Sequence, residues 1–351
     1  MPLQDDSSTI GEQIATSLAG SQWCVVSPVC FTEACFSVPA VRALKHFSPN
    51  ASIAVLCPES QVPLWKHGVD EITHVIPYEV GASAKKIAAL VELYDEQFDS
   101  AIIWEAGSAA KATKLAGIGQ SVGYANDNLM PLLTDTLAID AHAGPIKHRV
   151  RHYLGLVDQL GVDAFVRSSF ERPPLPAAPE RIAIAIAIAP FSEYGSSYQW
   201  PVERFLKVVE VIEDCYPQVT WTLYDHGTGA SKKGMAVFGS FLERENSRQV
   251  SGYEWNVFTA LAQSTALVAC DGEVAHMAAH VGLPAAVIFG PNAPEWKRPI
   301  GKQSVVVREH VACSPCFKSK CPIDLRCQDG VSVEAVVDGL KASIEQRLSP
   351  G

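Results

Sequence analysis

Short apolar runs recur along the first half of the chain, spaced so that a helix fits between them. WCVV at 23–26 is followed by VPAVRALKHF, HVIPY at 74–78 by KKIAALVELYDEQF, and SIAVLC at 52–57 and SAIIW at 100–104 complete the series. Compact apolar runs read as strands, and segments whose apolar positions recur at helical spacing read as helices. Their alternation predicts a parallel sheet with crossover helices, an α/β fold. Residues 145–161, PIKHRVRHYLGLVDQLG, have helical spacing and finish on a glycine.

RPPLPAAPE at 172–180 then breaks the pattern, because its four prolines cannot sit in a helix interior or a central strand. Beyond it the rhythm restarts with RIAIAIAIA at 181–189, WPVERFLKVVEVIEDC, VTWTLYD, the loop HGTGASKKG, ALVAC, DGEVAHMAAHVG and AAVIFGP. This predicts a first Rossmann-like domain over 1–171, a proline linker over 172–180 and a second Rossmann-like domain over 181–332. A closing amphipathic helix within 333–351 has no strand after it and is expected to pack back on the first domain.

Composition narrows the reading. At 351 residues the chain is long for a single core and suits two domains with a cleft between them. Hydrophobic residues make up 48%, charged residues 19%, and no apolar run reaches the roughly 18 residues of a membrane span. The start, MPLQDDSSTIGEQ, shows no secretory pattern, so a cytoplasmic location is expected. A net charge of −10 argues against nucleic acid as a partner, since phosphate binding needs a basic surface.

The segment with the most chemical content is LVACDGEVAHMAAHVGLPAAVIFGPNAPEWKRPIG, 267–301. A strand ends at Cys270, Asp271 is placed to cap the following helix, and His276 falls in that helix's early turns. A helix N-terminus presents unpaired N–H groups and partial positive charge, which suits a diphosphate. No Asp-x-Asp pair is present to hold a divalent ion, so no cofactor or metal is expected at this site.

Asp271, His276, Met277, Ala278, Ala279, Gly282, Pro284 and the run Phe289-Gly290-Pro291 resemble the signature of glycosyltransferase family 9, the heptosyltransferases. Other stretches resemble the family in order: SVPAVRALK, YDEQFDSAIIW, HYLGLVDQLGV, WPVERF and the Cys-Ser-Pro-Cys segment. The resemblance implies a GT-B fold, two doubly wound domains facing a central cleft, with acceptor on the first and nucleotide sugar on the second. It also implies an inverting, metal-independent transfer of heptose or a similar sugar from an ADP-type donor, ADP-heptose foremost, to a lipopolysaccharide-core-type acceptor. The expected setting is the inner face of the inner membrane, by peripheral contact.

Counting back from Pro39, the family's general base falls on Glu33, with Thr32 where a glycine is usual. Glu33 reads equally as a helix-dipole residue. Asp271, Gly272, Glu273 and His276 would meet the donor diphosphate, Asp225 the ribose, and Gln199 stands where a basic residue is usual. Ser27 likewise replaces a basic residue, and Glu273 brings negative charge toward the phosphates. These departures keep a second reading open, a catalytically degenerate relative that binds a saccharide, a nucleotide or a protein. Cys313, Cys316, Cys321 and Cys327, spaced C-x2-C-x4-C-x5-C, read as ordinary thiols or as zinc ligands.

Overall fold

The computed structural model describes residues 22–67, 69–70, 72–94, 97–139, 144–171, 184–225, 232–251 and 255–349. The proline-rich segment and most of HGTGASKKG lie outside the described residues. The chain divides into two units, Met1–Glu171 and Arg172–Gly351.

In the first unit β1 (Trp23–Val26), β2 (Ile53–Pro58), β3 (His74–Tyr78), β4 (Ser100–Ile103), β5 (Gln120–Tyr124) and β6 (Asp135–Leu137) form one sheet in the order β3-β2-β1-β4-β5-β6. In the second, β7 (Ala185–Ala189), β8 (Thr220–Asp225), β9 (Ser247–Ser251), β10 (Ala266–Cys270), β11 (Ala285–Phe289) and β12 (Ser304–Arg308) run β12-β11-β10-β7-β8-β9. Every pairing is parallel. Within each unit the first strand therefore sits beside both the second and the fourth, the doubly wound order that leaves a switch point between the first and fourth strands. Two such sheets with helices give the α/β, GT-B class expected from the sequence.

All residues of β1, β2, β4, β10 and β11 are buried, as in a parallel sheet covered on both faces. Local chemistry sets the helix limits. Ser83 accepts a hydrogen bond from the Lys86 amide and opens the helix Ala84–Glu92, and Ser332 does the same for Val333–Leu348 through Ala335. Gly282, at φ 82°, ends Glu273–Val281 in the left-handed conformation, and β11 follows at once. Val336, Val337, Leu340 and Ile344 of the closing helix join Ile186, Ile188, Val268 and Ile288 in the core of the second unit. Among the described residues no helix is long and apolar enough to cross a membrane.

Candidate active site

In the first unit the carboxyl ends of β1, β3 and β4 surround a cavity of about 110 Å³. Val26, Ser27 and Val29 line it from β1, Tyr78 and Val80 from β3, and Glu105, Ala106 and Gly107 from β4, with Ser108–Ala110 opening the helix that follows. This is the switch point, where open α/β sheets bind their ligands. Glu105 is the one charged side chain among the lining residues. Its Oε1 accepts a 2.6 Å hydrogen bond from the Val29 amide. Surrounding protein displaces water from this carboxyl and pushes its pKa up; the Val29 bond opposes this, the charge of Glu33 adds to it, and Arg149 offsets it. A cavity of about 400 Å³ in the second unit lies instead along the starts of β8 and β9, away from the switch point.

Ser27, which stands where a basic residue was expected, is buried in a neutral network. Its hydroxyl donates to Gln61 Oε1 at 2.7 Å and accepts from the Trp65 indole at 3.2 Å. Glu33 lies in the first turn of the helix Phe31–Phe47, as the sequence places it. Its Oε2 accepts from Arg149 Nε at 2.7 Å and from the Tyr153 hydroxyl at 2.6 Å, with its side chain 12% exposed. The carboxylate is thus fastened to a guanidinium and a buried phenol. Burial, with the charge of Glu33 next, raises the Tyr153 pKa, so that phenol stays a donor.

In the second unit the ends of β7, β10 and β11 meet. Asp271 follows β10 and is 1% exposed. It does not cap the next helix: Gly272 holds that position with no side-chain cap. Asp271 Oδ2 accepts instead from Asn292 Nδ2 at 2.8 Å, and its Oδ1 has no hydrogen-bond partner among the described residues. Burial pushes its carboxyl up to about 7, the Asn292 bond and the Lys297 charge opposing. The helix end is met by a residue the sequence analysis passed over. Glu193, in the loop after β7, accepts a 3.0 Å hydrogen bond from the Glu273 amide. Burial, and then the nearby charge of Glu273, push the Glu193 carboxyl well above the usual carboxylate range. A Cβ on Gly272 would lie 2.9 Å from Glu193 Oε2, so that glycine makes room for the contact.

Glu273 and His276 are both buried in the helix Glu273–Val281. Lys297 places its ammonium over the rings of Trp296 and Tyr194, at 4.9 and 5.7 Å, close to Asp271. Gln199 reaches the Ser192 carbonyl at 3.5 Å from the turn preceding Trp200. Asp225 ends β8, and the Gln249 amide approaches it at 3.5 Å, so it lies on the β9 side of the sheet rather than with Asp271.

Cys313, Cys316, Cys321 and Cys327 are free thiols. Burial raises the Cys327 pKa, and Cys313, Cys316 and Cys321 add to the effect, so the four share a neighbourhood. No three His, Cys, Asp or Glu side chains among the described residues form a group that could hold a metal ion. Their loop is bound to the end of β11, with Cys316 and Phe317 amides donating to Pro291 O and the Ser314 hydroxyl to Gly290 O.

Glu105, Glu193, Lys297 and the Arg149–Tyr153 clamp were not singled out from the sequence. A carboxylate one or a few residues beyond an apolar strand, as in SAIIWE and in IAIAIAIAPFSE, was the available signal.

Residues 254–326 match the model of glycosyltransferase family 9 (heptosyltransferase). Lipopolysaccharide heptosyltransferase 2 of Escherichia coli K12 is 21% identical over 313 residues, covering 81% of this chain and 87% of the relative. Among solved structures, E. coli ADP-heptose lipopolysaccharide heptosyltransferase II superposes with a TM-score of 0.73 at 19% identity, covering 93% of this chain and all of the other. A family 9 glycosyltransferase from Veillonella parvula gives 0.74 at 14% identity, covering 94% and 98%. Fold, strand order and the matched segment around Asp271 and His276 agree in one likeness: the chain is similar to the heptosyltransferases of glycosyltransferase family 9.

Proposed function

We propose that this glycosyltransferase moves a heptose or a similar sugar from an ADP-type nucleotide donor to an acceptor of the lipopolysaccharide-core type, inverting the anomeric centre without a metal ion. The observation that carries the reading is the placement of Asp271, Gly272 and His276 after β10, at the switch point of a dinucleotide-type sheet and inside the segment that matches the family. In this reading the donor diphosphate meets the N-terminus of the helix Glu273–Val281, with the Lys297 charge acting on the adjacent Asp271, and the acceptor enters the cavity of the first unit. A carboxylate at the ends of β1 and β4 takes the acceptor's proton; Glu33 is the residue that the family resemblance assigns. Access to a saccharide acceptor would come from peripheral contact at the cytoplasmic face of the inner membrane.

One observation favours a second reading, a relative that binds without transferring. Glu193 already bonds to the helix end where the diphosphate is proposed to sit. Calorimetric titration with ADP, ADP-heptose, UDP-sugars and GDP-sugars separates the two. Micromolar binding of one sugar nucleotide supports the transferase and names its donor. No binding by wild type, with binding gained in Glu193→Gln, supports the degenerate reading.

A further inference from the structure

Three acidic residues, Asp271, Glu193 and Glu273, gather at the start of the helix Glu273–Val281, where the donor diphosphate is proposed to bind. An anion entering there needs positive charge beyond what the helix amides offer. Tyr198 and Gln199, just before Trp200, are neutral. The end of β11 brings a cation to the same place. Asn292 holds Asp271 Oδ2, and the next residue, Ala293, opens the short helix Pro294–Lys297, its carbonyl accepting from the Trp296 and Lys297 amides. That turn leaves Lys297 close enough for its charge to act on the Asp271 carboxyl.

The loop after β7 meets Lys297 from the other side. Ser192 Oγ donates to the Asp271 carbonyl at 2.6 Å and accepts from the Tyr194 amide at 3.3 Å, which ties the Tyr194 backbone to the start of the same helix. The Lys297 ammonium stands 5.7 Å from the centre of the Tyr194 ring and 4.9 Å from that of Trp296. Both rings are buttressed, Tyr194 by Tyr198 at 5.2 Å and Trp296 edge-on by Phe317 at 5.3 Å. A ring face holds an ammonium less strongly than a phosphate does, so the lysine can exchange one for the other while its stem stays in place. A separate mark of a ligand is Asp271 Oδ1, a buried oxygen without a hydrogen-bond partner among the described residues, on a side chain of a residue 1% exposed.

We propose that Lys297 is a donor-binding residue whose ammonium meets the oxygens of a nucleoside diphosphate at the start of the helix Glu273–Val281 and sets the preference for a diphosphate over a monophosphate. The assignment rests on the transferase reading above. The acidic neighbours sharpen the requirement: Glu193, Asp271 and Glu273 repel a diphosphate whenever they are ionised, so removing the Lys297 charge leaves that repulsion less opposed.

The test is calorimetric titration of the full chain with ADP, UDP and GDP, and with the monophosphate of whichever nucleoside binds, for wild type, Lys297→Met, Lys297→Gln and Lys297→Arg, with thermal melting to confirm folding. Each neutral variant is expected to bind the diphosphate about 10–100-fold more weakly, the loss of one charge-assisted contact. The loss for the monophosphate should be at least about threefold smaller, and Lys297→Arg should regain most of the diphosphate affinity. Added salt should weaken wild-type binding more steeply than binding by the neutral variants. A folded neutral variant within about threefold of wild type for the diphosphate overturns the assignment and leaves the transferase reading intact. Equal losses for the two phosphates, or an arginine variant no better than glutamine, do the same. A wild type that binds none of the three diphosphates overturns the donor-site reading, and the assignment with it.

Discussion

The two sheets share one strand order, yet their switch points are chemically opposite. Between β1 and β4 the chain leaves a cavity with a single carboxylate facing it. Between β7 and β10 the corresponding space holds Asp271, Glu193 and Glu273 close together, and one of them occupies a helix N-terminus that an external anion would otherwise meet. Topology fixes where a ligand can approach; the loop residues fix whether a neutral hydroxyl or a charged phosphate is welcome there. Glycine serves the second site by absence, since a Cβ at Gly272 would lie 2.9 Å from Glu193 Oε2 and the carboxylate would have to shift.

The contrast can be broken most severely by neutralising Glu33, the carboxylate that the family resemblance assigns as base, for which a kcat loss of about 10²–10⁴ is expected. No comparable loss should follow from any single exposed lysine on the first unit.

Stability offers the next largest effect. Asp271 and Glu193 have folded-state pKa values above their unfolded ones, so proton uptake favours the fold. Their contribution is complete below the usual carboxylate range and is lost as pH rises through about 7 for Asp271. The melting midpoint of the second unit should therefore fall between acid and mildly alkaline pH, by at least roughly 3 °C, and Glu193→Gln should reduce the fall. A scan showing the opposite slope would contradict the burial of these carboxyls. In the same unit Leu340→Ala, which opens the core beneath the closing helix, should cost about 2–5 kcal/mol in denaturant unfolding.

Donor affinity is a subtler probe. Protonated Glu193 does not repel a diphosphate and ionised Glu193 does, so ADP-heptose binding should weaken as pH rises. Glu193→Gln should bind about tenfold more tightly than wild type at the alkaline end, with a smaller gain at acid pH, as read by calorimetry. Smallest of all, Glu33→Gln should cost about 1–2 kcal/mol of stability, because Arg149, its side chain 28% exposed, loses its charged partner while Tyr153 keeps an amide acceptor.

Much of this architecture was legible in the sequence because buried parallel strands leave uninterrupted apolar runs. WCVV, HVIPY and ALVAC are β1, β3 and β10 residue for residue. β9, SRQVS, was not legible: it ends its sheet with mostly exposed side chains, and only pairing with β8 makes it a strand. At the site, the motif around Asp271 and His276 was readable because a strand, a turn and a helix follow one another in the chain. The Glu33 clamp was not, since Arg149 and Tyr153 lie more than a hundred residues away in sequence. Asp271 shows the limit of local reasoning: a carboxylate before a helix suggests a cap, but Asn292 from the end of the neighbouring β11 takes its oxygen. Glu193 met the helix end for the same reason, from a loop that sequence distance separates and the sheet order brings near.

The most direct test of the account is a transfer reaction with ADP-heptose and a deacylated lipopolysaccharide core saccharide, followed by NMR of the product's anomeric carbon. The account predicts stoichiometric release of ADP and a product of inverted anomeric configuration, with the rate retained in a chelator. A product of retained configuration, or no product from any sugar nucleotide, would contradict it.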